Sequence, residues 1–218
     1  PRLGFSVSVG SHFFMEIAKL RALRWLWARV ARAYGAAPDG QRTWIHARTS
    51  LFNRTTLDPY VNLLRGSTEA FAAVLANCDS LHVGAFDEVV RPPDDFARRV
   101  ARNTQLVLWH ESQVPQVADP AGGSWYLESL TDSLARRAWK AFQEMEAKGG
   151  LIPLLRDGSA QKAVAASAAD RVKAVGQRRE IVVGVNQYAN ATEEPLPVKL
   201  PDLPARRESR VADLKAQA

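Results

Sequence analysis

The sequence predicts an α/β fold: part of an (α/β) barrel with long outer helices and a Pro-rich C-terminal arm. Three observations carry this. Short apolar or alternating segments recur at 2–9, 43–50 and 80–86. Each is followed by a stretch with helical spacing, and repeated strand–helix units imply a parallel sheet with right-handed crossovers. Helices of more than 20 residues outside short strands suit a barrel wall better than a compact open sheet, as the stretches at 12–35 and 125–147 show.

In order, residues 2–9 alternate weakly through Phe5, Val7 and Val9, which reads as a strand. Ser11 is the expected N-cap of a helix carrying Phe13, Ile17, Leu20, Leu23, Trp27, Val30 and Tyr34, and Gly35 is its expected stop. Pro38-Asp39-Gly40 reads as a turn. A buried strand is expected at 43–50. Asp58-Pro59 opens a second helix with an inner face of Tyr60, Leu63, Leu64, Phe71, Val74 and Leu75. A strand follows at 80–86, with Leu81 and Val83 opposing His82 and Gly84. A third helix starts at Pro92-Pro93-Asp94. The tight loop 119–124 precedes a fourth helix that Gly149-Gly150 ends. Beyond 151, a short helix, an Ala-rich helix near 160–176 and an apolar strand at 181–185 are expected. Residues 1–190 therefore form the barrel part. Residues 191–218, with Pro195, Pro197, Pro201 and Pro204, read as a linker or wrapping arm without a core of its own.

The net charge of +6 favours anionic partners only weakly, because the Arg residues are spread along helices beside acids. No nucleic-acid motif accompanies the charge, so nucleic acid is not an expected partner. No apolar run approaches the ~18 residues of a membrane span. The single cysteine, Cys78, rules out an intrachain disulfide and fits a reducing compartment. The expected location is cytoplasmic, or the mitochondrial matrix in a eukaryote. The opening run Pro1-Arg2-Leu3-Gly4-Phe5 reads as the middle of a domain, so a fragment or one part of a split protein is expected.

Candidate chemistry centres on the strand at 43–50. His46 and Arg48 are two positions apart and so share one face of it. Buried, such a pair needs hydrogen-bond partners or an anionic ligand. It can grip a carbonyl, carboxylate or phosphate, or it can be a structural pair holding a loop or a buried acid. His46, Arg48, His82 and Glu88 are all placed at or just beyond strand ends, where barrels bind ligands. Glu88 suits a hydrogen-bond acceptor for a sugar hydroxyl, and Asp87 a cap or salt bridge. Metal-ligand spacing is missing, and so is a G-x-S-x-G elbow. Gly122-Gly123-Ser124 could cradle an anion but reads more simply as a turn. Cys78 is taken as structural. Trp25, Trp27, Trp109, Trp125 and Trp139 are assigned to core or interface.

Several runs resemble one family, the cobalamin-dependent acyl-CoA mutases around methylmalonyl-CoA mutase. They are residues 13–21 (FFMEIAKLR), 101–105 (ARNTQ) and 119–126 (DPAGGSWY), with Asp58-Pro59-Tyr60-Val61-Asn62 and Ser80-Leu81-His82. The resemblance covers about 1–190. It implies the later strands and helices of a cleft-forming (β/α)8, TIM-type barrel, with an acyl-CoA substrate and adenosylcobalamin as cofactor. By resemblance Arg2 and His46 match acyl-CoA contacts, with Arg48 beside them, while Glu88 and its neighbour His82 belong to the adenosyl side. Pocket positions depart from the catalytic pattern. Arg48 stands for Gln, Asp79 for Gln and Gly84 for Asn, and Leu51-Phe52-Asn53 replaces a Trp-containing stretch. This resembles the small, non-catalytic subunit of the heterodimeric mutase. It implies a catalytic partner subunit and no catalytic residue on this chain. An acyl-CoA-binding or assembly module without catalysis is the alternative, as is a fragment of an active homodimeric mutase.

Overall fold

The computed structural model describes residues 3–198 and 202–217. Three strands, β1 (Gly4–Val9), β2 (Trp44–Thr49) and β3 (Ser80–His82), form one parallel sheet in the order β1-β2-β3. Helix α1 (Phe13–Ala33) follows β1, α2 (Val61–Leu75) follows β2, and α3 (Asp95–Leu106) follows β3. Then come α4 (Trp125–Glu146), α5 (Leu151–Arg156), α6 (Ser159–Gly176) and α7 (Leu203–Gln217). The strand–helix alternation expected from the sequence is present, and the helices are much longer than the strands.

Successive side chains of a strand point to opposite faces, and burial follows that period. On β2, Ile45, Ala47 and Thr49 are fully buried, whereas Trp44, His46 and Arg48 keep solvent contact. The buried face meets Val9, Ile17, Leu20, Ala72, Ala73, Ala76 and Leu127 in the main core. Helix α1 packs against α2 and α4, which closes this side. Buried parallel sheets are normally covered on both faces. Here the second face carries no helix from the described residues, and its strand side chains include Ser6, Ser8, His46, Arg48, Ser80 and His82.

Several local expectations change. Ser11 does not cap α1. The N-cap position is His12, without a side-chain cap bond, while the Ser11 carbonyl accepts from Phe13 N. Asp94 and Ser124 do cap α3 and α4, accepting from Ala97 N and Leu127 N. The third strand ends at His82, not Phe86. Past it the chain is held by Gly84 N donating to Thr49 Oγ1 at 2.9 Å rather than by a ladder. The inner face of α2 is small or polar: Asn62, Gly66, Glu69, Ala70, Ala72 and Ala73. Tyr60 and Leu64, expected inside, are exposed, because a close helix–sheet approach leaves no room for them. Trp25, Trp109 and Trp125 are likewise exposed, so a core role for those three is corrected.

Residues 181–185 are not a strand. Gly184 has φ of +80°, which breaks extended backbone, and only an isolated bridge joins Val183 to Gln187. The arm does wrap. Glu193 accepts from Asp58 N at 2.7 Å, the Pro197 carbonyl accepts from Arg91 Nη1 at 3.0 Å, and Leu196 packs against Ala85, Phe86 and Ala97. Beyond it α7 is an exposed helix that the Pro-rich composition did not predict. Among the described residues no helix is long and apolar enough to cross a membrane.

Candidate functional site

Parallel register builds the site. Ser6 pairs with His46 and His46 with Ser80, and one step along Ser8 pairs with Arg48 and Arg48 with His82. The period of two therefore sets polar side chains side by side in two rows across the helix-free face. His46 lies in the middle of β2, not at its end as expected. Arg48 and His82 lie near the C-terminal ends of their strands, and Glu88 follows in the loop beyond β3.

In the first row His46 is half-buried. Its Nδ1 lies 2.8 Å from Ser80 Oγ, and the same oxygen accepts from Trp44 Nε1 at 3.2 Å. In the second row Arg48 Nη2 stands 3.6 Å from Glu88 Oε2, and the Arg48 side chain is 43% exposed. Glu88 folds over Gly84 so closely that a Cβ there would clash with its Oε1. Gly84 is thus the residue that lets Glu88 turn back toward Arg48.

Beneath this row lies a charged pair that the sequence reading missed. Arg54 and Glu69 have fully buried side chains, 3.1 Å apart between Nη2 and Oε2, and Arg54 Nε is 3.9 Å from Glu88 Oε1. Glu69 also accepts from Asn53 Nδ2 at 3.0 Å and Ser50 N at 3.2 Å. Burial pushes the Glu69 carboxyl above its ordinary value, and Arg54, Asn53 and Ser50 pull against that shift. Arg48 and Arg54 face Glu69 and Glu88, and the Arg65 charge also acts on Arg54 and Glu69. Glu88 Oε1 and Arg48 Nε are buried without hydrogen-bond partners.

The residues singled out in the sequence fare differently. Arg48, His82 and Glu88 come together toward the C-terminal end of the polar face, and His46 lies one row back from them. Arg2 lies outside the described residues. Asp87 is fully buried and accepts from Arg91 Nε at 2.7 Å, the salt bridge expected of it. Gly122-Gly123-Ser124 is a turn that seats the α4 N-terminus, with Gly123 N donating to Glu128. Cys78 has its thiol pushed up to about 11 by burial and by Asp79, in keeping with a structural role. Among the described residues no three His, Cys, Asp or Glu side chains are grouped to hold a metal ion.

Comparison with known proteins places the chain. The methylmalonyl-CoA mutase family profile matches residues 1–218. The chain is similar to the methylmalonyl-CoA mutase small subunit of Porphyromonas gingivalis, 45% identical over 194 residues, covering 88% of this chain and 31% of that protein. It is 41% identical over 213 residues to the methylmalonyl-CoA mutase of Rhizobium meliloti, covering 96% and 30%. Against the P. gingivalis large subunit the identity is 37% over 215 residues, covering 98% and 30%. The chain spans about a third of the length of these relatives. On the family match and these identities together, the chain belongs to the methylmalonyl-CoA mutase family.

Proposed function

We propose that this chain is the later part of a (β/α)8 mutase barrel of the small-subunit type, with 1–190 as barrel and 191–218 as arm. It serves the interconversion of methylmalonyl-CoA and succinyl-CoA without being catalytic alone. The observation that carries this is the polar, helix-free face of a parallel sheet whose other face packs into the main core. Side chains such as His46 and Arg48 are at home on a barrel interior that meets a ligand, and are costly on a face meant for a core.

On this reading His46 and Arg48 meet the acyl-CoA, with Arg2 as a further contact. Arg48 offers a planar cation to an oxyanion, and His46 offers a ring donor to a carbonyl. The partner is a catalytic mutase subunit or the rest of the barrel. The fit for adenosylcobalamin is confined to its sugar end. The buried Glu88 Oε1, which accepts no hydrogen bond from the chain, suits a ribose hydroxyl, with His82 on the neighbouring strand. When bound, the cofactor supplies the carbon radical that moves the thioester group. This chain's part is to bind, orient and exclude water. Arg48 and Gly84 support the small-subunit type, because they stand where the resemblance expects the Gln and Asn of a catalytic subunit.

The test is turnover. The purified chain with adenosylcobalamin should not isomerise methylmalonyl-CoA, and joined to a catalytic mutase subunit it should give an active complex. Turnover by the chain alone contradicts the proposal. A second reading, acyl-CoA binding or assembly without catalysis, is favoured by the exposed Arg48 side chain. Calorimetry with coenzyme A on the folded chain decides it, and no heat of binding removes it.

A further inference from the structure

The first row of the polar face holds a hydrogen-bond sequence with a direction. Trp44, His46 and Ser80 lie on the same side of β2 and β3. An indole N–H only donates, so Ser80 Oγ is an acceptor toward Trp44. That hydroxyl has one proton of its own to place. Among the described residues its remaining partner is His46 Nδ1, at 2.8 Å. If Nδ1 carried the proton, Ser80 would accept twice and its own proton would have no protein partner. The alternative, with Trp44 donating to Ser80 and Ser80 donating to His46 Nδ1, runs its donors in one direction, so that each hydrogen bond strengthens the next. The imidazole is then neutral, and its one N–H is Nε2–H, for which no protein partner exists among the described residues.

We propose that Ser80 and Trp44 are positioning residues that hold His46 as the Nε2–H tautomer, so that this face presents a neutral donor selective for a carbonyl acceptor. Orientation of a histidine through its second ring nitrogen is a general device for fixing which nitrogen acts. The consequence is specificity by class of group. A thioester or amide carbonyl accepts from Nε2–H, whereas a ligand group that can only donate leaves both hydrogens facing each other. Arg48, one row along, keeps the charge needed for an anionic group, so the two rows divide a neutral from a charged end of one ligand. The inference rests on the reading of this face as the acyl-CoA side, and the tautomer itself can be tested without ligand.

The chain has four histidines, so selective ¹⁵N-histidine labelling gives four ring systems, and a His46→Asn sample identifies the one of interest. At a pH where the imidazole is neutral, His46 should show an unprotonated, hydrogen-bonded Nδ1 and a protonated Nε2. Ser80→Ala should move the Nδ1 resonance to the unbonded position and bring in the second tautomer. Ser80→Thr, which keeps the hydroxyl, should restore the wild-type signature. Trp44→Phe, which leaves Ser80 in place, should weaken it. A protonated Nδ1 in the wild type overturns the proposal, as does an Nδ1 resonance unchanged in Ser80→Ala. Acetyl-CoA added to the wild type should then shift Nε2–H. No shift, with Nδ1 still unprotonated and bonded, overturns the carbonyl-acceptor role and the acyl-CoA reading of this face while leaving the tautomer assignment standing.

Discussion

Arg48 and Arg54 carry the same charge in opposite settings. The Arg48 side chain is 43% exposed and meets one carboxylate at 3.6 Å, whereas that of Arg54 is fully buried between Glu69 and Glu88. An exposed pair contributes up to about 1 kcal/mol, while removing one partner of a buried pair costs about 3–5 kcal/mol. In urea denaturation Arg48→Gln should therefore leave stability within ~1 kcal/mol of wild type. Arg54→Met should lose several times as much, and adding Glu69→Met should restore most of it, since no uncompensated charge then remains. The raised Glu69 carboxyl has a definite sign. Its folded form holds a proton more readily than its unfolded form, so its contribution is present at low pH and is lost as pH rises through the folded value. Wild type should thus gain stability over Glu69→Gln on acidification toward the ordinary carboxylate range. Cys78, raised from 9.0 to about 11, should be alkylated about a hundredfold more slowly than an ordinary thiol at neutral pH. Of these residues, His46 and Arg48 were legible in advance because a strand's period of two settles their face. Arg54 was not, because an Arg just past a strand reads as surface until α2 brings Glu69 over it.

At the scale of elements, α2 is where the sequence reading and the structure part most clearly. Large apolar residues signal a core by their free energy of transfer, but a helix laid close on a strand needs small ones at the contact. Ala72, Ala73 and Ala76 sit there against Ile45 and Ala47, and Leu64 and Tyr60 turn outward. Ala73→Leu should overpack this contact and cost about 1–3 kcal/mol, read as a lower melting temperature. Asn62 joins the elements, donating to the Thr55 and Phe86 carbonyls and accepting from Thr55 N. The helices themselves were legible from apolar spacing and from stops such as Gly149 and Gly150, both at positive φ. The apolar run at 181–185 was not, because a short apolar stretch has no period to separate a strand from a turn. Gly184 decides it. A Cβ there would come within 2.8 Å of Asp58 Cβ at φ of +80°, so Gly184→Ala should loosen this turn from the Asp58 loop and lower the melting temperature.

Across the whole molecule, the sheet has one face sealed by α1 and α2 and one face left polar, half-buried and helix-free. Large apolar side chains such as Phe52, Phe96 and Trp125 are also exposed outside the core. The family relationship accounts for both features on the proposal that further strands and a partner complete the ring. Family membership was legible from motifs at 13–21, 101–105 and 119–126. The particular contacts of Glu193, Leu196 and Pro197 were not, since they depend on distant partners rather than on the segment's own pattern. The central claim is that the face bearing His46 and His82 is an interior in the complete protein. Histidine acylation by diethylpyrocarbonate, read by mass spectrometry on the isolated chain and on the complex with a catalytic mutase subunit, tests it directly. His46 and His82 should be modified in the isolated chain and strongly protected in the complex, while His12 and His110 label equally in both. Equal labelling of His46 and His82 in the two states would contradict the claim.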